Sequence, residues 1–435
     1  VSGASLADWP ISYEELEPFY EKAEWDFGVS GSAGSNPFEP KRAKGYPNPA
    51  HPPRVGSLRF AAGARTAGYT PFPVPMAINS QVYGNRPSCV HGGACRAYGC
   101  PIGAKGTTYS VSIPRARISG NLDLRADATV YELPVKDGRV TGARYLDGQG
   151  RQHEVTARQT ILAAGTVGTP HLLLMSKSGK FPDGLANGSG QVGRHYSFHH
   201  HPSARGIFED DLRGYTGIET HTAFDDLHPS EPARGFIRGG VVAEVNTMTH
   251  QPIAHALVLG PPEGRNWGQS LKDHIADFPR TMLAAGICEE LPMPDNRVDL
   301  DPTHRDRFGL PVPRITKRQH PNDVAMYRWY EKKIVAVVEA AGAKRVDPGR
   351  MPGLHIGDGD HQRSNAHNHG TCRMGDNPSD SVVDRWCRSH EVPNLWIADS
   401  SVMPTNGGYN PTLTILANAY RVADHFIAES RRLSL

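Results

Sequence analysis

The sequence predicts an α/β protein in which a doubly wound sheet is joined to a second domain built on an antiparallel sheet. Residues 159–165, QTILAAG, are typical of a buried strand that ends in a glycine turn. A helix is predicted over residues 169–176, with Pro170 in its first turn. This strand–glycine–helix crossover fits a doubly wound sheet. Short apolar runs between residues 200 and 360 indicate the antiparallel sheet.

The first 160 residues contain one clear helix signal and a series of strands. Ser12 and Glu15 form the capping box of an N-terminal helix. Residues 122–126 alternate between apolar and polar side chains, as a strand does. Turns are predicted at Asp137 and Gly138 and again over residues 147–150, with strands on either side.

The second half contains two strong helices. Residues 322–342 have apolar side chains at helical spacing and end at a glycine, and the last stretch, from 412 to 432, is also helical. A short buried strand is predicted over 394–399. Further short strands are predicted at 236–237, 241–242, 256–259 and 282–285.

Composition excludes several classes of function. With 435 residues the chain is long enough for one composite unit or two domains. The net charge is +2 and no basic run is present, so nucleic acid is not an expected partner. No segment approaches the ~20 apolar residues of a membrane helix. The first residue is Val1 and no signal peptide follows it, so we expect the sequence to begin inside a longer protein.

Three of the six cysteines, Cys89, Cys95 and Cys100, lie within twelve residues and among glycines. A disulfide framework would spread its pairs along a short secreted chain, so this clustering suggests ligands. Soft thiolates favour an iron–sulfur cluster. The alternatives are a zinc site with His91 as the fourth ligand, or a loop of free thiols.

One run near the C-terminus carries the strongest chemical signal. His367 lies three residues before Gly370 in the sequence HNHGTCRMG, and Asn410 begins an Asn-Pro-Thr run about forty residues later. An imidazole is suited to removing a hydroxyl proton, and an amide can hold the substrate oxygen in place. His369 is a competing candidate for the base.

These motifs, together with residues 162–176, resemble the glucose–methanol–choline (GMC) family of FAD oxidoreductases. The resemblance implies a Rossmann-like FAD-binding domain and favours His367 as the base, with Asn410 where many members have histidine. It also implies contacts with FAD. Ala163, Ala164 and Gly165 would lie against the cofactor, Val130 near the adenine, Asp399 and Ser400 near the pyrophosphate and ribityl chain, and Thr412 near the isoalloxazine.

The cysteine segment resembles that of gluconate 2-dehydrogenase-like and bacterial FAD-dependent sugar dehydrogenase large subunits. Some of those bind a three-iron, four-sulfur cluster; relatives often have a fourth cysteine where this chain has Gly92. The resemblance implies oxidation of a sugar, sugar acid or polyol, with electrons passing through the cluster to a cytochrome c subunit. It also implies a small partner subunit and a periplasmic location. The alternatives are an oxygen-using alcohol oxidase and a non-catalytic remnant.

Two motifs are expected to be misleading. Residues 188–193 match G-x-G-x-x-G, but no strand precedes them and no helix follows, so a loop is expected. The triple histidine at 199–201 suggests a metal site, but adjacent side chains point in different directions. The family's own strand–G-x-G-x-x-G–helix fingerprint is missing, so the FAD-binding domain is expected to be incomplete at its N-terminus.

The resulting domain assignment has four segments. Residues 1–84 form an N-terminal helix and loop segment, and 85–200 the first part of the FAD-binding domain with the cysteine segment. Residues 201–364 form the substrate-binding cap. Residues 365–435 return to the FAD-binding domain with the catalytic groups.

Overall fold

The computed structural model describes residues 1–92, 99–245, 265–348 and 366–432. The helices in these ranges are α1 (Tyr13–Phe27), α2 (Val55–Thr66), α3 (Ser112–Ile118), α4 (Gly165–Met175), α5 (Gly268–Ala276), α6 (Pro321–Ala340) and α7 (Thr412–Arg432). The strands are β1 (Ser30–Gly31), β2 (Asn48–Pro49), β3 (Phe72–Pro73), β4 (Thr129–Glu132), β5 (Val135–Lys136), β6 (Arg139–Val140), β7 (Gly142–Leu146), β8 (Gln152–Thr156), β9 (Thr160–Leu162), β10 (Ser203–Ile207), β11 (Thr220–Phe224), β12 (Gly240–Val245), β13 (Thr281–Cys288), β14 (Arg297–Arg305), β15 (Pro311–Thr316), β16 (Arg345–Pro348) and β17 (Leu395–Ile397).

The N-terminal helix begins as predicted. The Ser12 hydroxyl accepts a hydrogen bond from the Glu15 amide, and the Glu15 carboxylate accepts one from the Ser12 amide. Helix α1 then packs along the C-terminal helix α7, where the Tyr20 hydroxyl lies 2.8 Å from the Thr414 hydroxyl. The two ends of the described chain therefore meet on one side of the molecule.

The parallel strand pair β9 and β17 is the part of the doubly wound sheet that the described residues contain. Strand β9 leads directly into α4, as the crossover pattern predicted. The predicted start of that helix was wrong, because α4 begins at Gly165 and Pro170 lies inside it. A proline inside a helix donates no backbone bond to the carbonyl four residues earlier, which here is Thr166. That carbonyl accepts a hydrogen bond from the Thr371 hydroxyl instead, at 2.8 Å.

Residues 129–156 form short antiparallel strands. Asp137 and Gly138 have φ values of 51° and 76° in the tight turn between β5 and β6, and residues 147–150 turn between β7 and β8, both as predicted. Residues 122–126 are not a strand, although their side chains alternate. An alternating segment forms a strand only where a neighbouring strand supplies hydrogen bonds. The nearby strand β4 pairs with β7 and not with residues 122–126.

The largest sheet has six antiparallel strands in the order β16-β10-β13-β12-β11-β3. Helices α2 and α6 cover one face, and the core between them includes Phe60, Phe224 and Tyr330. The long helix predicted at 322–342 is confirmed as α6. Residues 236–237 are not a strand, and residues 256–259 lie outside the described ranges.

A second core lies around β9, β17 and α4, and contains Leu173, Met374 and Ile397. The antiparallel hairpin of β14 and β15 reaches across to α4, where His171 Nε2 lies 2.7 Å from the Pro311 carbonyl oxygen. Within the described ranges, no helix has the length and apolar character needed to span a membrane.

The buried hydroxyl of Tyr330 joins α6 to the sheet. It donates to the Leu227 carbonyl at 2.7 Å and accepts from the Gly240 amide at 2.9 Å. We expect Tyr330→Phe to lower the free energy of unfolding by about 1–3 kcal/mol, because it leaves these buried groups unpaired. Chemical denaturation measures the change. Tyr145→Phe, which removes a hydroxyl whose hydrogen bond with Arg125 is exposed, is the control and should change stability much less.

Candidate active site

Two crossing segments place His367 in the site. The backbone amide of Ser197 bonds to the His369 carbonyl at 3.1 Å, and the return bond is 2.9 Å. Gly370 has a φ of +76°, and a Cβ at this position would lie 2.3 Å from the His195 carbonyl oxygen. The glycine of the motif is therefore required by the close approach of the two backbones.

The side chain of Thr166, in the first turn of α4, links this crossing to the parallel strand pair. Its hydroxyl donates to the Asn368 carbonyl at 2.9 Å and lies 2.7 Å from the Ser400 hydroxyl. Its carbonyl accepts the Thr371 hydroxyl, as described above. Three separate stretches of chain are thereby held together at one buried residue.

The structure brings the two predicted catalytic side chains together. His367 Nε2 and Asn410 Nδ2 are 3.1 Å apart, although 43 residues separate them in the chain. Asn410 is exposed and His367 is half-buried, so both groups can be reached from outside. His369, the competing base, is 1% exposed, and burial, followed by the neighbouring His367, lowers its pKa to about 3.

The loop that carries Asn410 is anchored to the antiparallel sheet. The Val241 amide donates to the Gly408 carbonyl, and the Tyr409 hydroxyl donates to the Asp225 carboxylate. His228 lies between Asp225, at 3.4 Å, and Glu289, at 3.3 Å. Burial disfavours the charged form of His228, but these two carboxylates outweigh it and raise the pKa to about 9. The result is an ionic group directly beneath the loop.

The small-residue turn before α4 is open. Ala163 and Ala164 are exposed, and the position of a Cβ on Gly165 has no neighbouring atom within 4 Å. The Asp399 carboxylate accepts from the Gly165 amide at 2.9 Å and from the Thr169 hydroxyl at 2.6 Å. A turn of small residues at a helix N-terminus, with room beside Gly165, allows a cofactor to approach closely.

The remaining predicted cofactor residues lie on separate elements. Ser400 follows Asp399 and is joined to the turn through Thr166. Thr412 is exposed at the start of α7, two residues after Asn410. Val130 is 38% exposed on β4, which runs toward the far end of α4. The turn, Asp399 and Ser400 are linked by hydrogen bonds, and Val130 is on a different element, β4.

Two of the three clustered cysteines are described, and both are free thiols in one small apolar cluster with Ile78 and Ala104. Cys95 lies outside the described residues. Burial disfavours the Cys100 thiolate, but the backbone amides of residues 102–105 outweigh it and lower the pKa of Cys100. The sulfur of Cys89 accepts from the His91 amide. Backbone N–H groups that point at the Cys100 sulfur favour the thiolate state that metal ligation requires.

The triple histidine has three different environments. His199 Nδ1 lies 3.1 Å from His367 Nδ1, His200 Nε2 lies 3.3 Å from Glu290, and His201 Nδ1 lies 3.0 Å from the Gly286 carbonyl oxygen. As expected, the rings diverge. His200, Glu290 and Asp323 do have the spacing of cation ligands, but the ammonium of Lys317 already contacts Glu290. Residues 188–193 are a loop, as predicted.

Comparison with known proteins gives the family. Residues 11–202 and 292–419 match the two family models described as GMC oxidoreductase. The 2-methyl-1,2-propanediol dehydrogenase of Mycolicibacterium austroafricanum is 33% identical, over 98% of this chain and 75% of that protein. The chain belongs to the GMC oxidoreductase family.

Two further comparisons agree with this assignment. The fructose dehydrogenase large subunit of Gluconobacter japonicus is 30% identical, over 98% of this chain and 75% of that protein. The crystal structure of pyridoxine 4-oxidase from Mesorbium loti has a TM-score of 0.62 at 16% identity, covering 98% of this chain and 79% of that one, and it shows the fold. The predicted GMC fold and the predicted enzyme class, an FAD-dependent oxidoreductase acting on CH–OH groups, are confirmed.

Sequence reasoning missed two residues of this GMC site. Thr166 lies within residues 162–176. The one feature that could have indicated its role is its position four residues before Pro170, where a helix would leave its carbonyl without a backbone donor. His199 was set aside with the triple histidine as a false metal site. Nothing local in the sequence indicates that its ring meets His367, because 168 residues separate them.

The ion pairs of His228 predict a pH-dependent stability. A histidine whose folded pKa is about 9 stabilises the fold below its unfolded pKa of about 6.5 and loses that contribution as the pH rises through 9. We therefore expect His228→Gln to have a lower melting temperature than wild type at pH 7, and the gap to narrow by pH 9.5. A constant gap over this range would contradict the assignment. His304→Gln, at an exposed histidine, is the control for the substitution itself and should lower the melting temperature at pH 7 much less.

Proposed function

We propose that the chain is a dehydrogenase that oxidises a hydroxyl group of a sugar, sugar acid or polyol. The observation that carries the proposal is the 3.1 Å approach of His367 Nε2 to Asn410 Nδ2 at an accessible position. The diol and fructose dehydrogenases among the relatives support the substrate class. The alternative is an oxygen-using alcohol oxidase, which would produce peroxide.

His367 and Asn410 have complementary roles in this proposal. A hydroxyl oxygen that accepts from Asn410 Nδ2 and donates its proton to His367 Nε2 satisfies both groups at once. As the C–H bond loses a hydride, the O–H proton moves to His367 and the carbinol becomes a carbonyl. FAD, when bound, supplies the two-electron acceptor for that hydride. The amide also fixes the oxygen, which keeps the carbon aligned for transfer.

The residues that would hold FAD follow from the open turn. Ala163 and Ala164 are exposed and Gly165 has open space beside it, while Asp399 and Ser400 shape the turn from β17. Thr412, close to Asn410 in the chain, would lie by the reacting ring, and Val130 by the adenine. These roles rest on the family resemblance together with the positions described above.

Cys89, Cys95 and Cys100 are proposed to hold an iron–sulfur cluster, three-iron and four-sulfur by resemblance. The backbone amides around the Cys100 sulfur support a ligand role. Such a cluster would carry single electrons toward a cytochrome c partner. A small partner subunit and a periplasmic location complete the proposal, and the large-subunit name of the fructose dehydrogenase relative supports partner subunits.

The base assignment predicts a specific loss of chemistry. We expect His367→Ala to lower turnover about a hundredfold or more, because the hydroxyl proton has no acceptor, while the flavin absorbance of purified, FAD-supplemented protein is retained. Dye reduction with fructose, gluconate or 1,2-propanediol measures turnover, and a peroxide assay tests for oxidase activity. His153→Ala, at an exposed ring, is the control. Near-normal turnover in His367→Ala would refute the role of the base.

The cluster assignment predicts a loss of metal. We expect Cys100→Ser to lose most of its iron and acid-labile sulfide by elemental analysis, because a serine hydroxyl replaces one thiolate ligand. Cys288→Ala, at a fully buried cysteine outside the segment, should keep them. Iron absent from the wild-type protein after anaerobic purification would contradict the cluster, and bound zinc would favour the His91 alternative.

A further inference from the structure

The ring of His199 lies against the side of His367 that faces away from Asn410. His367 contacts Asn410 through Nε2 and His199 through Nδ1, so its two ring nitrogens have different partners, each at 3.1 Å. His199 is 0% exposed. It is fixed by the backbone crossing that also holds Ser197 and His369.

These two contacts determine where His367 carries its proton. A carboxamide nitrogen only donates, so His367 Nε2 must accept from Asn410 Nδ2. In a neutral imidazole the other nitrogen then carries the hydrogen, and His367 Nδ1 donates to His199 Nδ1. His199 accepts at Nδ1 and has its own proton on Nε2. The ring of His367 is thereby set with its Nε2 lone pair toward the position where the substrate oxygen would bind.

The surroundings keep His199 neutral. Burial, and then the neighbouring histidines, hold the pKa of His199 well below its ordinary value. The groups around the pair are His201 and His369, whose rings lie 5.7 Å from His367 and 5.0 Å from His199, and His200, which is paired with Glu290. A neutral His199 can accept from His367 in both protonation states, and the bond becomes charge-assisted when His367 is protonated.

We propose that His199 is a positioning residue that holds His367 in the tautomer able to accept the hydroxyl proton, and that stabilises the resulting imidazolium. This inference rests on the proposed role of His367. It assigns a role in the chemistry to one member of the triple histidine, as the acceptor that orients the base.

Two substitutions of similar size distinguish a hydrogen-bond acceptor role of His199 from a packing role. The side-chain oxygen of His199→Asn can stand near the original Nδ1 position and still accept from His367. His199→Leu fills similar space without an acceptor. We expect His199→Leu to lower kcat about tenfold or more, with KM little changed, and to move the acid limb of the kcat–pH profile to lower pH because His367 becomes less basic. His199→Asn should keep most of the wild-type kcat and a nearly unchanged pH profile.

A second measurement does not depend on turnover. In ¹⁵N-histidine spectra, the His367 signals, identified by their loss in His367→Ala, should show the Nδ1–H tautomer in wild type and in His199→Asn. They should shift toward Nε2–H in His199→Leu, because the Nδ1–H then has no acceptor and the Asn410 amide can turn its oxygen to accept from Nε2–H. Melting temperature and flavin absorbance check that both variants are folded.

The outcomes separate this inference from the proposed function. Equal losses in the Leu and Asn variants with an unmoved pH profile, or an unchanged His367 tautomer in His199→Leu, would overturn the role of His199. If His199→Leu has wild-type turnover while His367→Ala loses turnover, only this inference fails. If His367→Ala keeps its turnover, the proposed function fails first.

Discussion

Thr166 and the carbonyl that Pro170 leaves available hold the candidate site together. The proline removes one helical hydrogen bond from α4, and the Thr371 hydroxyl takes the acceptor position. The Thr166 hydroxyl meanwhile joins Asn368 and Ser400. Because Asn368 and Thr371 belong to the His367 segment, the carbonyl freed in α4 helps to anchor that segment.

The site lies where two cores meet. The core around β9, β17 and α4 supplies the open turn and the His367 segment. The six-stranded sheet supplies the support for Asn410, through Val241 and the ionic group of His228, Asp225 and Glu289. Because His367 and Asn410 are supported by different cores, a small shift of one core against the other would change the distance between the two side chains.

The sequence was sufficient for features that have local causes. The Ser12 capping box, the turn at Asp137 and the long helix α6 each follow from a few neighbouring residues, and all three are present. The start of α4 was mispredicted because the local preference of proline for a first turn ignores a distant hydroxyl that can satisfy the freed carbonyl. The strand predicted over residues 122–126 was wrong, because alternating side chains do not reveal whether a partner strand exists.

Candidate residues were found by motif, but their arrangement was not. His367 and Asn410 were identifiable because their flanking residues match a known order, whereas their contact depends on how two cores pack. His199 carried the wrong signal, since its neighbours suggested a metal site and its actual partner is 168 residues away. Tertiary contacts between single polar side chains have no periodicity from which they could be predicted.

The central claim is that His367 and Asn410 hold one substrate oxygen between them. A crystal structure of the FAD-loaded enzyme with a bound, unreactive alcohol analogue tests it most directly. The account predicts one analogue oxygen within about 3.2 Å of both His367 Nε2 and Asn410 Nδ2. An ordered analogue whose hydroxyl groups contact neither side chain would contradict it.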